Sequence, residues 1–235
     1  MAHAVYTGAT HDRLGHTLGV VEVANRMINA LLKNARYHQE FGSDPDPDVP
    51  LPDDDDRHTI RLAALFHDTG HGPFSHASEP LIERAHANDF TLLRNILQAT
   101  IRGRWKCKNI TSEAVAVLLV LSEPLRKIFE HPRFRAPITN REELPIGIVA
   151  RLLGSWRGLR AGYLAGVICG PIDADKLDYM ARDSYFTGLP LGLDVERLIN
   201  KLEVITIKPE RVADPVLKER ATAAPNQRLY ELAFP

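Results

Sequence analysis

The stretch "ALFHDTGHGPFSHASEP", residues 64–80, sets three histidines and an aspartate at the end of an apolar segment. The residues just before His67 are all apolar, which is typical of a central helix, and Gly70 predicts where that helix ends. Adjacent side chains on a helix point about 100° apart, so His67 and Asp68 can share one metal most easily at the helix end. The stretch therefore predicts metal-ligating chemistry at a buried helix terminus.

Apolar residues elsewhere recur at the three- and four-residue spacing of amphipathic helices, and no long alternating pattern indicates a sheet. We therefore predict an all-α helical bundle, with at most a small strand element late in the chain, in "LEVITIK" (202–208). The predicted helices cover 16–33, 57–68, about 89–101, 111–129 with a break at Pro124, 145–168 with an internal Gly-rich turn, and 172–186.

Between the first two predicted helices lies "GSDPDPDVPLPDDDD" (42–56), which contains seven aspartates and four prolines. Prolines disfavour a helix and like charges repel, so we expect an exposed loop. Calcium could bind such a loop, but the spacing matches no EF-hand pattern. The last four aspartates come directly before "RHTIRLAALFHD" (57–68), where they would stabilise the positive end of the following helix.

The charge balance does not favour a nucleic-acid or membrane-surface partner. Lys and Arg number 29 against 30 Asp and Glu, which leaves a formal net charge of -1. Any binding of anions must therefore be local. One short run, "IRGRWKCKN" (101–109), interleaves basic residues with a tryptophan and could bind single-stranded nucleic acid or a regulatory nucleotide. A solvated connection is the commoner role of such a run.

The N-terminal residues "MAHAVYTGATHDR" lack the apolar core of a signal peptide, and the longest apolar run, "AVAVLLVL" (114–121), is too short to span a membrane. The two cysteines, Cys107 and Cys169, indicate neither a disulfide framework nor a zinc knuckle, as expected in a reducing compartment. We expect a soluble, cytoplasmic protein that has no membrane partner.

Two further segments offer polar side chains that could meet the His67-Asp68 pair. His16 lies on the core-facing stripe of the 16–33 helix, where a lone histidine is more often an ordinary core residue than a ligand. The segment "PIDADKLDYMARDSYFTGL" (171–189) has one polar face and one packing face. The polar face carries Asp175, Tyr179 and Arg182 with Asp183 beside it, and the packing face carries Ala174, Leu177 and Ala181. The alternative for this helix is a solvated face with charge pairs one turn apart.

His16, His67, Asp68 and Asp175 together would supply two imidazoles and two carboxylates. This donor set favours Mn²⁺ or Fe²⁺, also suits Zn²⁺, Ni²⁺, Co²⁺ or Mg²⁺, and leaves coordination positions for water and substrate. A divalent ion at such a site acidifies its bound water and neutralises a phosphate oxygen, and phosphoester hydrolysis needs both effects. The residues thus predict catalytic rather than structural metal binding.

Three phrases carry a resemblance to a known family: "HDRLGHTLGV", "LFHDTGHGPFSH" and "DADKLDYMARD". In this order they resemble the HD-domain metal-dependent phosphohydrolases, whose pattern is a distant His, a His-Asp pair and a distant Asp. Within that superfamily they look most like the deoxynucleoside triphosphate triphosphohydrolases, over roughly residues 6 to 190. The resemblance implies a phosphohydrolase core over residues 1–190 and a C-terminal extension over 191–235, part of a larger helical region.

The resemblance also implies a role for individual residues. The metal ligands would be His16, His67, Asp68 and Asp175, and the substrate's phosphates or sugar would contact Arg13, Lys176 and Tyr179, supported by Asp183. The implied catalytic residues are His71, His76, Glu79 and His86. His76 would protonate the leaving oxygen, with Glu79 as its acidic partner and His86 as the second histidine of a relay. The family commonly has His-Glu at this last place, where this chain has His86-Ala87.

The implied reaction is attack of a water on the α-phosphorus of a deoxynucleoside triphosphate, which releases deoxynucleoside and triphosphate. Relatives assemble into tetramers or hexamers, so a homo-oligomer is expected by analogy. Two alternatives stay open at this stage. One is a nucleotidase or phosphodiesterase with the same metal site, and the other is a regulatory module that binds nucleotides or nucleic acid and turns over slowly.

Overall fold

The computed structural model describes residues 5–41, 49–72, 77–100, 111–134, 138–154, 161–190, 192–207 and 229–233. Three features singled out in the sequence lie outside these residues: the candidate catalytic residue His76, the basic run 101–109 and, within that run, Cys107. Among the described residues, none of the helices combines the length and the apolar character needed to cross a membrane.

The fold is helical, as predicted, with a small sheet at the end of the described chain. The helices are α1 (Arg13–Phe41), α2 (Asp54–Phe66), α3 (Glu79–Ala85), α4 (Ala87–Thr100), α5 (Thr111–Val120), α6 (Glu123–Glu130), α7 (Leu144–Leu152), a 3-10 helix (Gly162–Ala165), α8 (Gly166–Cys169), α9 (Ala174–Thr187) and α10 (Val195–Asn200). Strand β1 (Glu203–Ile207) confirms the predicted strand and pairs antiparallel with β2 (Leu229–Ala233), Glu203 lying opposite Ala233.

Helix α2 begins three residues earlier than the sequence pattern predicts, because the aspartate run is part of the helix start. Asp53 is the N-cap, and its side chain accepts a hydrogen bond from the Asp56 backbone N–H at 2.8 Å while Asp56 accepts one from Asp53. Asp56 also accepts a hydrogen bond from the buried Arg151 guanidinium at 2.8 Å. These aspartates therefore cap α2 and tie it to α7 instead of ending an open loop.

The core lies where α1 crosses α2 and α9, and where α2 meets α7. Its largest fully buried apolar side chains are Met27, Ile28 and Leu31 of α1, Ile60 of α2, Ile148 of α7 and Leu177 of α9, together with Phe129, Leu164 and Leu202. Helix α1 is the central element, since it also contacts α10 and β1. The C-terminal elements that precede residue 208 thus pack along the second half of α1.

Helix α9 buries a different set of residues from the one predicted. Ala174 and Leu177 are buried as expected, but Ala181 is exposed, and the third buried residue is Asp178. Helix α1 approaches α9 closely at this point, because it has Gly19 opposite the Asp178 carboxylate. The packing face of α9 therefore includes a carboxylate, which the apolar pattern alone does not indicate.

Candidate metal centre

Three separate elements bring His16, His67 and Asp175 together. His16 lies in the first turn of α1, His67 directly follows the last residue of α2, and Asp175 lies in the first turn of α9. Asp175 Oδ1 is 3.0 Å from His16 Nε2 and 3.7 Å from His67 Nε2. One ligand atom from each residue lies within 4.8 Å of the other two. The closeness of the three depends on the packing of α1 against α2 and α9.

The other ring nitrogen of each histidine is held by an acceptor. His67 Nδ1 lies 2.6 Å from the Ala64 carbonyl oxygen, and His16 Nδ1 lies 2.7 Å from Asp178 Oδ2. A carbonyl or a carboxylate accepts, so each Nδ1 carries the proton and each neutral ring presents an unprotonated Nε2 to the cluster. This arrangement is the one that orients histidine ligands in metal sites.

The cluster fits a divalent ion on two grounds of its own. His67 Nε2 is buried and has no hydrogen-bond partner among the described residues, although buried polar atoms are usually paired. The donor set, two imidazole nitrogens and a carboxylate oxygen, suits a first-row divalent metal. The exposed part of Asp175, about 37% of its side chain, leaves the site open on one side, as catalytic metal sites require.

The electrostatics of the cluster favour positive charge at its centre. Hydrogen bonds to Asp175 and Asp178 raise the pKa of His16 to about 9. Burial alone would raise the pKa of Asp175, but the contacts with His16 and His67 outweigh it and hold that pKa well below its ordinary value. In the absence of a metal, the proton on His16 therefore supplies the positive charge that the ionised Asp175 attracts.

Asp68, the fourth predicted ligand, lies beside the cluster on the turn after α2. Its Oδ1 is 3.5 Å from His67 Nε2 and also 3.5 Å from His71 Nε2. His71 Nδ1 in turn lies 3.2 Å from Oε1 of Glu79, whose side chain is buried at the start of α3. In the described residues, the acidic partner that the resemblance assigns to His76 thus contacts His71.

The predicted substrate contacts lie on α1 and α9. Lys176 Nζ donates hydrogen bonds to Asp173 and to the Gly170 carbonyl, and its side chain is 38% exposed. Tyr179 is also partly exposed. Arg13 is exposed at the first position of α1, with no ion pair to any described residue.

Two predicted residues lie in separate pairings. Asp183 Oδ1 is 3.0 Å from His11 Nε2, which connects the segment before α1 to the second half of α9. His86 occupies the turn between α3 and α4, where its side chain is 62% exposed and lies 3.8 Å from Asp89. The described contacts of His86 therefore do not include any of the predicted metal ligands.

The sequence pattern misses Asp178. Its side chain is only 9% exposed, and it accepts hydrogen bonds from His16 and from Arg182 Nε and Nη2, at 2.8 and 2.9 Å. The pKa of Asp178 lies below its ordinary value: burial acts to raise it, and these hydrogen bonds outweigh burial. A signal was available, because Asp178 is three residues after Asp175 and four before Arg182, positions that share a helix face.

The chain is similar to a known protein family and to several known proteins. Residues 13–144 match the family model described as "HD domain". The chain is 28% identical over 218 residues to the deoxynucleoside triphosphate triphosphohydrolase SAMHD1 of Danio rerio, and 26% identical over 219 residues to the SAMHD1 of Bos taurus. It is also 29% identical over 198 residues to the protein YwfO of Bacillus subtilis.

These matches cover 84–88% of the chain but only 31–34% of the relatives, so the chain spans about a third of their length. Among solved structures, a hypothetical protein from Aquifex aeolicus superposes with a TM-score of 0.54 at 24% identity, covering 87% of this chain and 42% of that one. At this identity the structural match supports the fold alone.

Proposed function

This chain belongs to the HD-domain family, and we propose that it is a metal-dependent phosphohydrolase that converts deoxynucleoside triphosphates to deoxynucleosides and triphosphate. The observation that carries the proposal is the meeting of His16, His67 and Asp175, with both Nε2 atoms directed at one carboxylate. The SAMHD1 relatives are named as deoxynucleoside triphosphate triphosphohydrolases, which supports the substrate class. We assign residues 1–190 to the hydrolase core and 191–235 to an extension.

His16, His67, Asp68 and Asp175 would hold the ion, with Mn²⁺ or Fe²⁺ favoured by the mixed nitrogen and oxygen donors. When bound, a divalent ion supplies an acidified water and charge neutralisation at a phosphate oxygen. The remaining chemistry belongs to the chain's own side chains, which must orient the triphosphate and move two protons.

The reaction breaks the bond between the α-phosphorus and the 5′ oxygen. Water contributes its oxygen to the triphosphate and loses a proton, and the 5′ oxygen gains a proton. His71 is suited to a proton transfer, because the buried Glu79 carboxylate holds its Nδ1 side while Nε2 faces Asp68. His76 remains our candidate for protonating the 5′ oxygen, by resemblance, and His86 our candidate for a second histidine in that relay.

The triphosphate carries about four negative charges at neutral pH, which the protein must compensate locally because its net charge is only -1. Lys176 and Arg13 are the cations proposed for this role. Lys176 would exchange its bonds to Asp173 and Gly170 for phosphate oxygens, a movement that its partial exposure permits. Tyr179 and Asp183 are proposed to complete the sugar side of the site.

Incubation of the protein with Mn²⁺ and each of the four deoxynucleoside triphosphates, followed by anion-exchange separation of the products, tests the proposal. We expect inorganic triphosphate and free deoxynucleoside, and their loss in Asp68→Ala. Lys127→Ala is the matched control, since Lys127 pairs with Glu123 on the exposed face of α6. Full activity in Asp68→Ala would contradict the mechanism.

Other products would identify the alternatives. Monophosphate products would indicate a nucleotidase, and cleavage of diesters a phosphodiesterase with the same metal site. Absence of turnover together with tight binding of a polynucleotide would indicate a regulatory module. A homo-oligomer is proposed by analogy with relatives, and light scattering with and without nucleotide would test it.

A further inference from the structure

Asp178 is a buried carboxylate that lies between α9 and α1 and accepts three hydrogen bonds. Its Oδ2 lies 2.7 Å from His16 Nδ1 and 2.8 Å from Arg182 Nε, and its Oδ1 lies 2.9 Å from Arg182 Nη2. The Arg182 guanidinium is one helical turn further along α9 and donates a hydrogen bond to each oxygen of the Asp178 carboxylate. Arg182 therefore fixes the plane of the carboxylate, and the carboxylate in turn fixes the His16 ring.

The direction of the proton follows from the partners. A carboxylate paired with a guanidinium is ionised and can only accept, so His16 Nδ1 must donate. The Nε2 lone pair of the neutral ring is then directed to the side where Asp175 and His67 lie. Without the acceptor, a neutral imidazole can carry its proton on either nitrogen and can rotate about χ2, and only the state observed here presents the Nε2 lone pair to Asp175 and His67.

Helix α1 leaves room for this pair. A Cβ at Gly19, one turn after His16, would overlap Asp178 Oδ1 and lie 2.7 Å from Asp178 Cγ. It would also overlap Arg182 Nη2. The glycine thus lets the carboxylate and the guanidinium reach α1 at the level of His16, an observation independent of the hydrogen bonds themselves.

From these contacts we propose that Asp178, held by Arg182 and admitted by Gly19, is a positioning residue that sets the tautomer and orientation of His16 for metal binding. The inference rests on the proposed function, because it assumes that His16 is a metal ligand. Asp178 acts through His16 and does not itself contact the ion or the substrate. Its removal therefore weakens metal binding even when no nucleotide is present.

The test compares Asp178→Ala and Asp178→Asn with the wild type in two measurements that need no substrate. Titration with Mn²⁺, followed by the electron paramagnetic resonance signal of the free ion, gives the affinity. We expect a loss of about 10- to 100-fold in Asp178→Ala, the range known for lost partners of histidine ligands. Asp178→Asn keeps the shape and an acceptor oxygen but loses the charge, so we expect a smaller loss, about tenfold or less but measurable.

The second measurement is the long-range ¹H–¹⁵N spectrum of the zinc-loaded protein, with His16 assigned through His16→Gln. In the wild type we expect coordination through Nε2 and a strongly hydrogen-bonded Nδ1–H. Asp178→Ala should lose that downfield Nδ1–H signal, a change that a general loss of stability does not produce. Glu196→Ala is the matched control: it removes a carboxylate that pairs with Arg26 on the same helix α1, away from His16, and should leave both measurements unchanged.

Wild-type Mn²⁺ affinity in both variants, or an unchanged His16 signal, would overturn the positioning role while leaving the metal site intact. If Asp178→Ala fails to fold, the isosteric Asp178→Asn is the only variant needed for the test. A Mn²⁺ affinity of Asp178→Asn equal to that of the wild type then overturns the proposal. A wild type that binds no Mn²⁺ would overturn the proposed metal site and this inference together. A wild type that binds Mn²⁺ but releases no triphosphate would overturn only the proposed substrate.

Discussion

The two imidazoles of the candidate metal centre are held in different ways. His67 donates to the Ala64 carbonyl, three residues back in its own chain. His16 donates to Asp178, which is 162 residues away and reaches it only because α1 packs on α9. The first ligand is oriented by local backbone, whereas the second depends on a tertiary contact between side chains.

Substitutions near the two histidines should therefore differ in how selectively they affect metal binding. A substitution near His67 must disturb the backbone of the turn, so it should damage the fold before it damages the metal site. A substitution between α1 and α9 removes or displaces a single carboxylate, so it should damage metal binding while most of the core remains. Asp175 lies between His16 and His67 and contacts both.

The largest effect is expected for Asp175→Asn, because Asp175 contacts both His16 and His67. Loss of the charge removes a metal ligand and the group that attracts a cation between two imidazoles. We expect phosphohydrolase activity to fall by about 1000-fold or more, and Mn²⁺ binding to fall below detection in a titration at micromolar protein. Glu123→Gln on the exposed face of α6 is the control, and retention of a tenth of the activity would contradict the assignment.

The next effect is the dependence of metal binding on pH. His16 must lose a proton to bind a metal, and in the metal-free protein its pKa is raised to about 9. The apparent Mn²⁺ affinity should therefore increase about tenfold per pH unit from pH 6 to 8 and level off above about 9. Isothermal titration in buffers of different ionisation enthalpy should detect about one released proton at pH 7.

The same pKa fixes the sign of a stability effect. In the metal-free protein, the raised pKa of His16 stabilises the fold fully below pH 6.5, and this contribution disappears as the pH rises through about 9. The loaded protein lacks this protonated state, so the difference in Tm between loaded and metal-free protein should widen from pH 6.5 to 9. A constant difference would contradict the raised pKa.

Two glycine substitutions, one near His67 and one near His16, distinguish the two ways in which the ligands are held. A Cβ at Gly70 would lie 2.6 Å from the Ser112 carbonyl carbon and 2.9 Å from the Ala116 nitrogen, which are backbone atoms that cannot move aside easily. Gly70→Ala should therefore lower the free energy of unfolding by about 2–3 kcal/mol in urea. Gly19→Ala meets side chains instead, so it should cost less stability while weakening Mn²⁺ binding about tenfold.

One outcome of the Gly70→Ala and Gly19→Ala measurements would contradict the proposed difference between His67 and His16. Equal losses of stability in the two variants, with equal losses of affinity, would mean that both ligands depend on the same packing. Gly192→Ala provides the baseline for both measurements, because no atom of the described residues lies within 4 Å of a Cβ at that position.

The surroundings of His67, which is held by local backbone, can be predicted from the sequence more completely than those of His16, which is held by Asp178 of another helix. The end of α2 close to His67 was predicted from the apolar run and Gly70, and the helix ends at Phe66, two residues before the predicted bound of 68. Asp178 escaped prediction because its importance depends on which helix packs opposite, and Gly19 is meaningful only when α1 and α9 are known to touch. Periodicity identifies a polar face but not the neighbour that it meets.

The helix boundaries show the same limit. The last four aspartates were expected to end an exposed loop and to stabilise the start of α2, but the bonds of this run to Arg151 and Thr139, more than 80 residues further along the chain, were not predicted. Those bonds become possible only after α7 packs on α2. The periodic pattern does not indicate contacts such as these, which join residues distant in sequence.

The smallest effect is expected for Lys176→Ala. Lys176 lies on α9, as Asp178 does, but it does not hold a metal ligand in place. Lys176 bonds to Asp173, the N-cap of α9, and to the Gly170 carbonyl, so its loss leaves the His16 contacts in place. If its proposed role is to bind phosphate equally in the ground and transition states, KM should rise by less than tenfold with kcat nearly unchanged. Mn²⁺ affinity should equal that of the wild type, and a fall as large as that expected for Asp178→Ala would mean that the start of α9, rather than the Asp178 carboxylate, positions the metal ligands.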